Sequence, residues 1–331
     1  MKIINLSDIS ADWCWLKDEF NQLSWQHFSS QSVNLAQFFP KKQSLKRAIA
    51  AWRAVNQAKH GQSLLVSHGP RPAYYGAALA KKISPHLPHL VYSFNFTDLP
   101  SSTQRKLMAN AFKQPQRFVT YSNVERALYA DYFDIPIEKI DMLHWAVHAP
   151  DINSFGPPIE AGAYICALGS QGRDYKTLFA AIKTLKQIKL IVVANEASVK
   201  DLDIPPNVTV HTNIPLQNAH NILAHSQLMV LPLRDSQVPC GHVTIVSSMF
   251  FKKAMVVTDS LGVHDYIKNE ETGLFCMPQN PDDLSQKIAS LWEDAQLKNN
   301  LSESAYAFAQ THCTEKTAIN YFSHYLSTIQ Y

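Results

Sequence analysis

Two turns in the second half of the chain gather the residue types that grip a phosphate. The run Ala167-Leu168-Gly169-Ser170-Gln171-Gly172-Arg173-Asp174-Tyr175-Lys176-Thr177-Leu178 reads as a strand end, a glycine-bearing turn and a helix start. Such a junction points backbone N–H groups and the positive helix end at an anion. Gly169 and Gly172 allow close approach, while Arg173 and Lys176 add charge-assisted hydrogen bonds to a diphosphate. Taken alone, the segment serves equally well as an ordinary strand-to-helix turn in which Arg173 pairs with an acid. A second turn sharpens the reading. Leu228-Met229-Val230-Leu231-Pro232-Leu233-Arg234-Asp235 ends a strand and enters a polar loop, and Cys240-Gly241-His242-Val243-Thr244 then opens a helix running through Met249. Its first amides are placed to hold a phosphate or a sugar hydroxyl.

The first half carries fainter chemistry. Leu64-Leu65-Val66-Ser67-His68-Gly69-Pro70 is a strand that delivers His68 to the carboxyl edge of a sheet, and Ser93-Phe94-Asn95-Phe96-Thr97-Asp98 does the same with Asn95 and Asp98. A capping or simply exposed imidazole accounts for His68 about as well as a site histidine does. Ser122, with Glu125 three residues on, is most simply a helix cap. His144 and His148 follow a strand and have no acidic third partner, and His220 and His225 have the wrong spacing to share a helix face. No Gly-x-Ser-x-Gly elbow, Walker loop or Asp-x-Asp metal motif occurs, so no metal is expected.

The elements that must position these groups alternate along the whole chain. Short apolar runs at 3–7, 63–67, 90–94, 117–121 and 139–143 are separated by helix patterns at 44–59, 73–83, 103–112 and 124–133. A Pro/Gly-rich stretch over 151–162 lacks periodicity and reads as a linker. Alternation resumes with strands at 164–168, 190–194, 208–212, 228–231 and 255–258, and helices at 175–185, 216–224, 243–251 and 282–292. Continuous apolar strands between amphipathic helices predict parallel sheets covered on both faces. The expected organisation is a first Rossmann-like domain over 1–150, the linker, and a second domain over 163–312. A C-terminal helix over 313–331 is expected to pack back on the first domain.

Composition narrows the classes. The 331 residues are 46% hydrophobic and 17% charged, enough for two buried cores. A net charge of +3 is too small for a dedicated nucleic-acid binder. The positive charge is uneven, with Lys41, Lys42, Lys46, Arg47 and Arg53 in one segment and Lys81 and Lys82 closing a later helix. Solvated helix faces explain that clustering; so does a domain that rests on anionic lipid or meets an anionic acceptor. Five scattered cysteines without a Cys-x-x-Cys pair argue against a disulfide framework or zinc site and for a reducing cytoplasm. Met1-Lys2 leads directly into Ile3-Ile4-Asn5-Leu6, too short for a signal-peptide core, and no long uninterrupted apolar run spans a bilayer.

In order and spacing, the stretch from about Tyr164 to Trp292 resembles the donor-binding domain of the large retaining GT-B glycosyltransferase family, which includes sugar transferases of lipopolysaccharide, capsule and glycolipid assembly. It is closed by Lys253-Ala254-Met255-Val256-Val257-Thr258-Asp259, Leu261-Gly262-Val263-His264-Asp265-Tyr266-Ile267, Glu271-Thr272-Gly273-Leu274-Phe275 and Asn280-Pro281-Asp282-Asp283-Leu284. The resemblance implies an α/β fold of GT-B type, two Rossmann-like doubly wound domains facing a central cleft. It implies transfer of a hexose-type sugar from a nucleoside diphosphate to a carbohydrate or lipid-linked acceptor, with retention. No cofactor or metal is called for beyond the nucleotide sugar itself. By that likeness Gly169, Arg173 and Lys176 hold the diphosphate, with Gly172 in the turn. Gly241, His242, Val243 and Thr244 lie beneath the phosphate and sugar, and Asp265 stands at the foot of the nucleotide pocket. His68 orients the donor sugar or the acceptor, with Asn95 as its partner. Replacing Arg173 by Ala is expected to remove diphosphate binding and leave the fold intact.

One departure is plain. The family carries a pair of glutamates around the second helix, the latter binding the ribose hydroxyls. Here that position falls on Ser247 or Val246, and no Glu occurs between Glu196 and Glu270. A carboxylate accepts from two hydroxyls, whereas serine offers one short hydroxyl. Nucleotide binding is then weaker, or Asp235, Gln237 or Asp265 supplies the contact, or the site is degenerate. The alternatives to a transferase are a degenerate GT-B protein that serves as a scaffold partner, and a sugar-nucleotide epimerase of the same fold. The expected setting is the cytoplasm, with peripheral contact at the inner face of a membrane.

Overall fold

The computed structural model describes residues 1–10, 16–35, 42–151, 155–234 and 238–329. The chain divides into two compact units, Met1–Leu143 with Ala318–Tyr331, and His144–Thr317. The division thus falls just ahead of the expected linker.

The first unit contains β1 (Lys2–Ser7), β2 (Ser24–Ser29), α1 (Lys42–Ala58), β3 (Ser63–His68), α2 (Pro70–Ile83), β4 (His89–Tyr92), α3 (Ser102–Phe112), β5 (Arg117–Thr120), α4 (Asn123–Phe133) and β6 (Ile140–Met142). Its strands form one parallel sheet in the order β2-β1-β3-β4-β5-β6. Strand β2 is absent from the sequence reading because Ser24-Trp25-Gln26-His27-Phe28-Ser29 is mostly polar and lies at the sheet edge. Helix α4 starts at the predicted cap. Ser122 Oγ accepts from Glu125 N at 3.1 Å, and Glu125 Oε2 accepts in return from Tyr121 N at 3.1 Å.

The second unit contains β7 (Tyr164–Leu168), α5 (Tyr175–Ile182), β8 (Lys189–Ala194), β9 (Val208–Thr212), α6 (Leu216–His225), β10 (Met229–Leu231), α7 (His242–Phe250), β11 (Met255–Thr258), β12 (Leu274–Cys276), α8 (Pro281–Glu293) and α9 (Ala295–His312). The final helix, α10 (Glu315–Thr328), joins the first unit from Ala318 onward. There Phe322 is fully buried, edge-on to Phe20 at 5.2 Å, and Tyr321 donates to Asp141 at 2.7 Å. Burying one such Phe is worth roughly 1.5–3 kcal/mol, which fastens the helix.

The sheet of the second unit is also parallel, in the order β12-β11-β10-β7-β8-β9. Alternate residues of its strands feed two cores. Ile165, Ala167, Leu190 and Val192 face one, and Tyr164, Cys166, Met229 and Leu231 face the other. That two-sided burial is why the strands read as unbroken apolar runs. The chain runs outward from β7 toward β9, then returns to β10 on the other side of β7. The crevice at the carboxyl ends of β7 and β10 is the switch point where open α/β sheets bind ligands.

Candidate active site

The loops leaving β7 and β10 are tied to each other at that switch point. Asp174 N donates to Pro232 O at 3.0 Å and Arg234 N to Gly172 O at 2.9 Å, with an antiparallel bridge between Arg173 and Leu233. Two glycines make the first loop possible. Gly169 (φ 102°) and Gly172 (φ 67°) both occupy the left-handed region. A Cβ at Gly169 would stand 2.6 Å from Arg173 Nη2, and one at Gly172 would overlap Cys240 Sγ. Helix α5 is capped by Asp174, whose Oδ1 accepts from Thr177 N at 3.1 Å.

Arg173 lies beneath this turn and is only 5% exposed. Its Nε donates to Leu168 O at 3.1 Å, Nη1 to Gln171 O at 2.8 Å and Nη2 to Thr244 Oγ1 at 2.8 Å. The guanidinium therefore joins the β7–α5 turn to the first turn of α7. Among the described residues no carboxylate pairs with it. Burial pulls its pKa down from the ordinary arginine value, yet an arginine stays protonated in a protein. A buried cation held by neutral acceptors leaves net positive charge at the crevice.

A cavity of about 360 Å³ opens on the far side of Thr244, to which Arg173 donates. Its walls come from Gly169 and Ser170 after β7, Asn195 after β8, Asn213 after β9, His220 on α6, and Val243, Thr244 and Ser247 on α7. Val193, Ile214, Leu216 and Leu223 add an apolar side. Four predicted residues, Gly169, Val243, Thr244 and Ser247, are thus brought together, with Arg173 behind Thr244.

The other predicted residues fall elsewhere. Lys176 is exposed on α5 and lines a separate cavity with Thr177, Ser198 and Arg234, to which Arg173 also contributes. Gly172 packs against Cys240, and Gly241 (φ 96°) is the N-cap of α7. His242 is 6% exposed, stacks on Tyr266 at 4.9 Å and is pulled down to about 4, chiefly by burial. Asp265 is half-buried and its backbone carbonyl bonds His144 Nε2 at 2.8 Å; neither it nor His242 lines the 360 Å³ cavity. Asp235 and Gln237 lie outside the described residues.

In the first unit, His68 closes β3 at the point where its own sheet reverses order. It is 6% exposed, lies 5.8 Å from the Tyr92 ring, and burial with the nearby His27 holds it down to about 3. Burial therefore favours its neutral form. Asn95 is exposed just beyond β4.

Asn195 and Asn213 escaped the sequence reading, and His220 was weighed there only as half of a His220/His225 pair. The two asparagines follow strand ends directly, a signal that was legible; His220 sits inside an amphipathic helix, where only the fold shows which way it faces.

Residues 170–308 match the family described as glycosyl transferases group 1. An 84-residue stretch is 34% identical to the N,N'-diacetylbacillosaminyl-diphospho-undecaprenol alpha-1,3-N-acetylgalactosaminyltransferase of Campylobacter jejuni, covering 25% of this chain. The match spans 22% of that relative's own length. Among solved structures, Alr3699/HepE of Anabaena in complex with UDP is similar with a TM-score of 0.75, at 16% identity over 99% of this chain and 100% of that one. The sucrose-phosphate synthase of Thermosynechococcus elongatus is similar with a TM-score of 0.71, at 16% identity over 93% of this chain and 84% of that one. At such identities the structures share the fold alone, two parallel six-stranded α/β units of GT-B type. The match to glycosyl transferases group 1 over residues 170–308 takes in most of the cavity wall, from Ser170 to Ser247, within a chain of GT-B fold.

Proposed function

We propose that this chain is a glycosyltransferase that moves a sugar from a nucleoside diphosphate to a carbohydrate or lipid-linked acceptor, with retention at the anomeric carbon. The buried Arg173 guanidinium without a carboxylate partner among the described residues carries the reading. An isolated buried cation is costly unless an anion completes it, and a diphosphate over the Gly169 turn and the α7 amides does so. The nucleoside occupies the 360 Å³ cavity, its base against the apolar side. As the bond from the anomeric carbon to the diphosphate oxygen breaks, Arg173 and the helix-start N–H groups stabilise charge on the leaving group. The acceptor hydroxyl oxygen bonds to that carbon, and its proton leaves with the diphosphate. This cation and the amides do the work a metal does elsewhere. No side chain is assigned as nucleophile. His68 and Asn95, in the first unit, are assigned to the sugar or the acceptor.

The absence of a carboxylate from the cavity wall, among the described residues, favours a second reading, a degenerate protein that binds a partner transferase. Release of nucleoside diphosphate from a panel of nucleotide sugars separates the two. Turnover supports the enzyme; no turnover and no thermal shift by any nucleoside diphosphate refutes it.

The proposed setting is the cytoplasm, at the inner face of a membrane. No helix among the described residues is long and apolar enough to cross one. Helix α1 contains Lys42, Lys46 and Arg53, no acid, and exposed Leu45 (38%) and Trp52 (55%), while its Arg47 is paired with Asp8 at 2.7 Å. Cations beside an exposed indole suit an anionic lipid surface.

A further inference from the structure

The six polar residues around the proposed nucleotide cavity are Ser170, Asn195, Asn213, His220, Thr244 and Ser247. Three already have side-chain oxygens that accept hydrogen bonds within the unit. Ser170 Oγ accepts from Asn195 N at 2.7 Å, Asn195 Oδ1 accepts from Ser198 N at 2.9 Å, and Thr244 Oγ1 accepts from Arg173. The side chains of Asn213, His220 and Ser247 make no hydrogen bond to another described residue. Asn213 is exposed beyond the end of β9, whereas His220 and Ser247 are half-buried.

The fold aims these two side chains at one place. Ser247 and Phe251 are four residues apart at the end of α7 and so share a face. The His220 ring lies against Phe251, with centroids 5.4 Å apart, and against Phe155 at 5.9 Å. Helix α6 is itself pinned. Asn221 Nδ2 donates to Pro157 O at 3.0 Å and its Oδ1 accepts from Ile159 N at 3.1 Å. The imidazole is thus seated against Phe251, one helical turn along the chain from Ser247, and both His220 and Ser247 line the cavity.

We propose that His220 and Ser247 together replace the missing glutamate and hold the ribose diol of the donor nucleotide; this rests on the donor reading above. A neutral imidazole offers one N–H and one acceptor nitrogen, and serine one donor with acceptor lone pairs. Together they satisfy two vicinal hydroxyls, each a donor and an acceptor. Partial burial lowers the His220 pKa and so favours that neutral form.

The test is calorimetric titration of the full chain with UDP, GDP and ADP, and with the 2′,3′-dideoxy analogue of whichever binds. His220→Phe keeps the aromatic packing against Phe155 and Phe251 and removes both nitrogens. The parent is expected to prefer the ribonucleotide by tenfold or more. In His220→Phe the ribonucleotide loses about tenfold, the value of one hydrogen bond worth about 1.4 kcal/mol. Affinity for the dideoxy analogue stays within about twofold, so the preference collapses. An unchanged preference in His220→Phe, or an equal loss for both ligands, overturns the inference and leaves the donor reading standing. A parent that binds none of the three nucleotides overturns the donor reading, and the inference with it.

Discussion

Replacing Arg173 should perturb stability and binding in separable amounts. In the folded chain its guanidinium serves Leu168 O, Gln171 O and Thr244 Oγ1 at 2.8–3.1 Å from a position 5% exposed. Arg173→Ala deletes three charge-assisted bonds worth about 1.5–3 kcal/mol each before compensation. It also relieves the desolvation of a buried cation, several kcal/mol in the opposite direction. The net loss expected is on the order of 2 kcal/mol of stability. The sequence-based expectation of an undisturbed fold therefore does not follow from this geometry, because the same side chain ties the two turns together. Arg173→Lys keeps the charge but cannot span the fork, and should cost about 1 kcal/mol, one hydrogen bond. For nucleoside diphosphate binding, Arg173→Ala loses a charge-assisted bond to phosphate, raising Kd roughly 10- to 150-fold. Urea unfolding with and without nucleotide, joined to calorimetry on the folded variants, measures both quantities. If the folded Ala and Lys variants bind the nucleotide within about twofold of the parent, the phosphate site lies elsewhere.

Gly172→Ala should destabilise the chain by about 1–3 kcal/mol, since φ is 67° and the new Cβ meets Cys240 Sγ; Cys240→Ala should recover part of that loss, and additive effects in the double variant would refute the contact. Acidification should weaken the fold, because His68 is held down to about 3, and His89 and His242 to about 4, all chiefly by burial. Between those values and the ordinary 6.5 the unfolded chain takes up protons that the folded chain refuses, so stability rises with pH across this window by about 1.4 kcal/mol per unit for each group. Glu125, pushed by burial up to about 7 from 4.5, acts in the opposite sense, one group against three. Urea midpoints that fall between pH 4.5 and 6.5 would contradict the assignment. Vesicle sedimentation tests α1: Trp52→Ser with Lys46→Glu should lower binding to anionic vesicles several-fold, and parent binding that is equal on neutral vesicles would refute the electrostatic contact.

Much of the architecture was legible because both sheets are parallel and buried on two faces, which leaves apolar runs such as Leu64-Leu65-Val66 and Leu190-Ile191-Val192-Val193 in the sequence. What escaped was short or small. Strand β12 has three residues, and α9 buries Leu301, Ser302, Ala305 and Ala309, too weak an apolar stripe to announce a helix. At the site, Gly169 and Arg173 could be read because a tight strand-to-helix turn constrains residue type locally. Lys176 stands three residues past Arg173, and the start of α5 places both on the wall of a cavity distinct from the 360 Å³ one. His220 shows the limit of such local reading, since its relation to Ser247 depends on how α6 and α7 lie beside each other.

The central claim is that the crevice between the β7 and β10 loops binds a nucleoside diphosphate. Calorimetric titration of the full chain with UDP, GDP and ADP tests it most directly. The account predicts saturable one-to-one binding of at least one of them, weakened by Arg173→Lys. Heats indistinguishable from dilution for all three would contradict it.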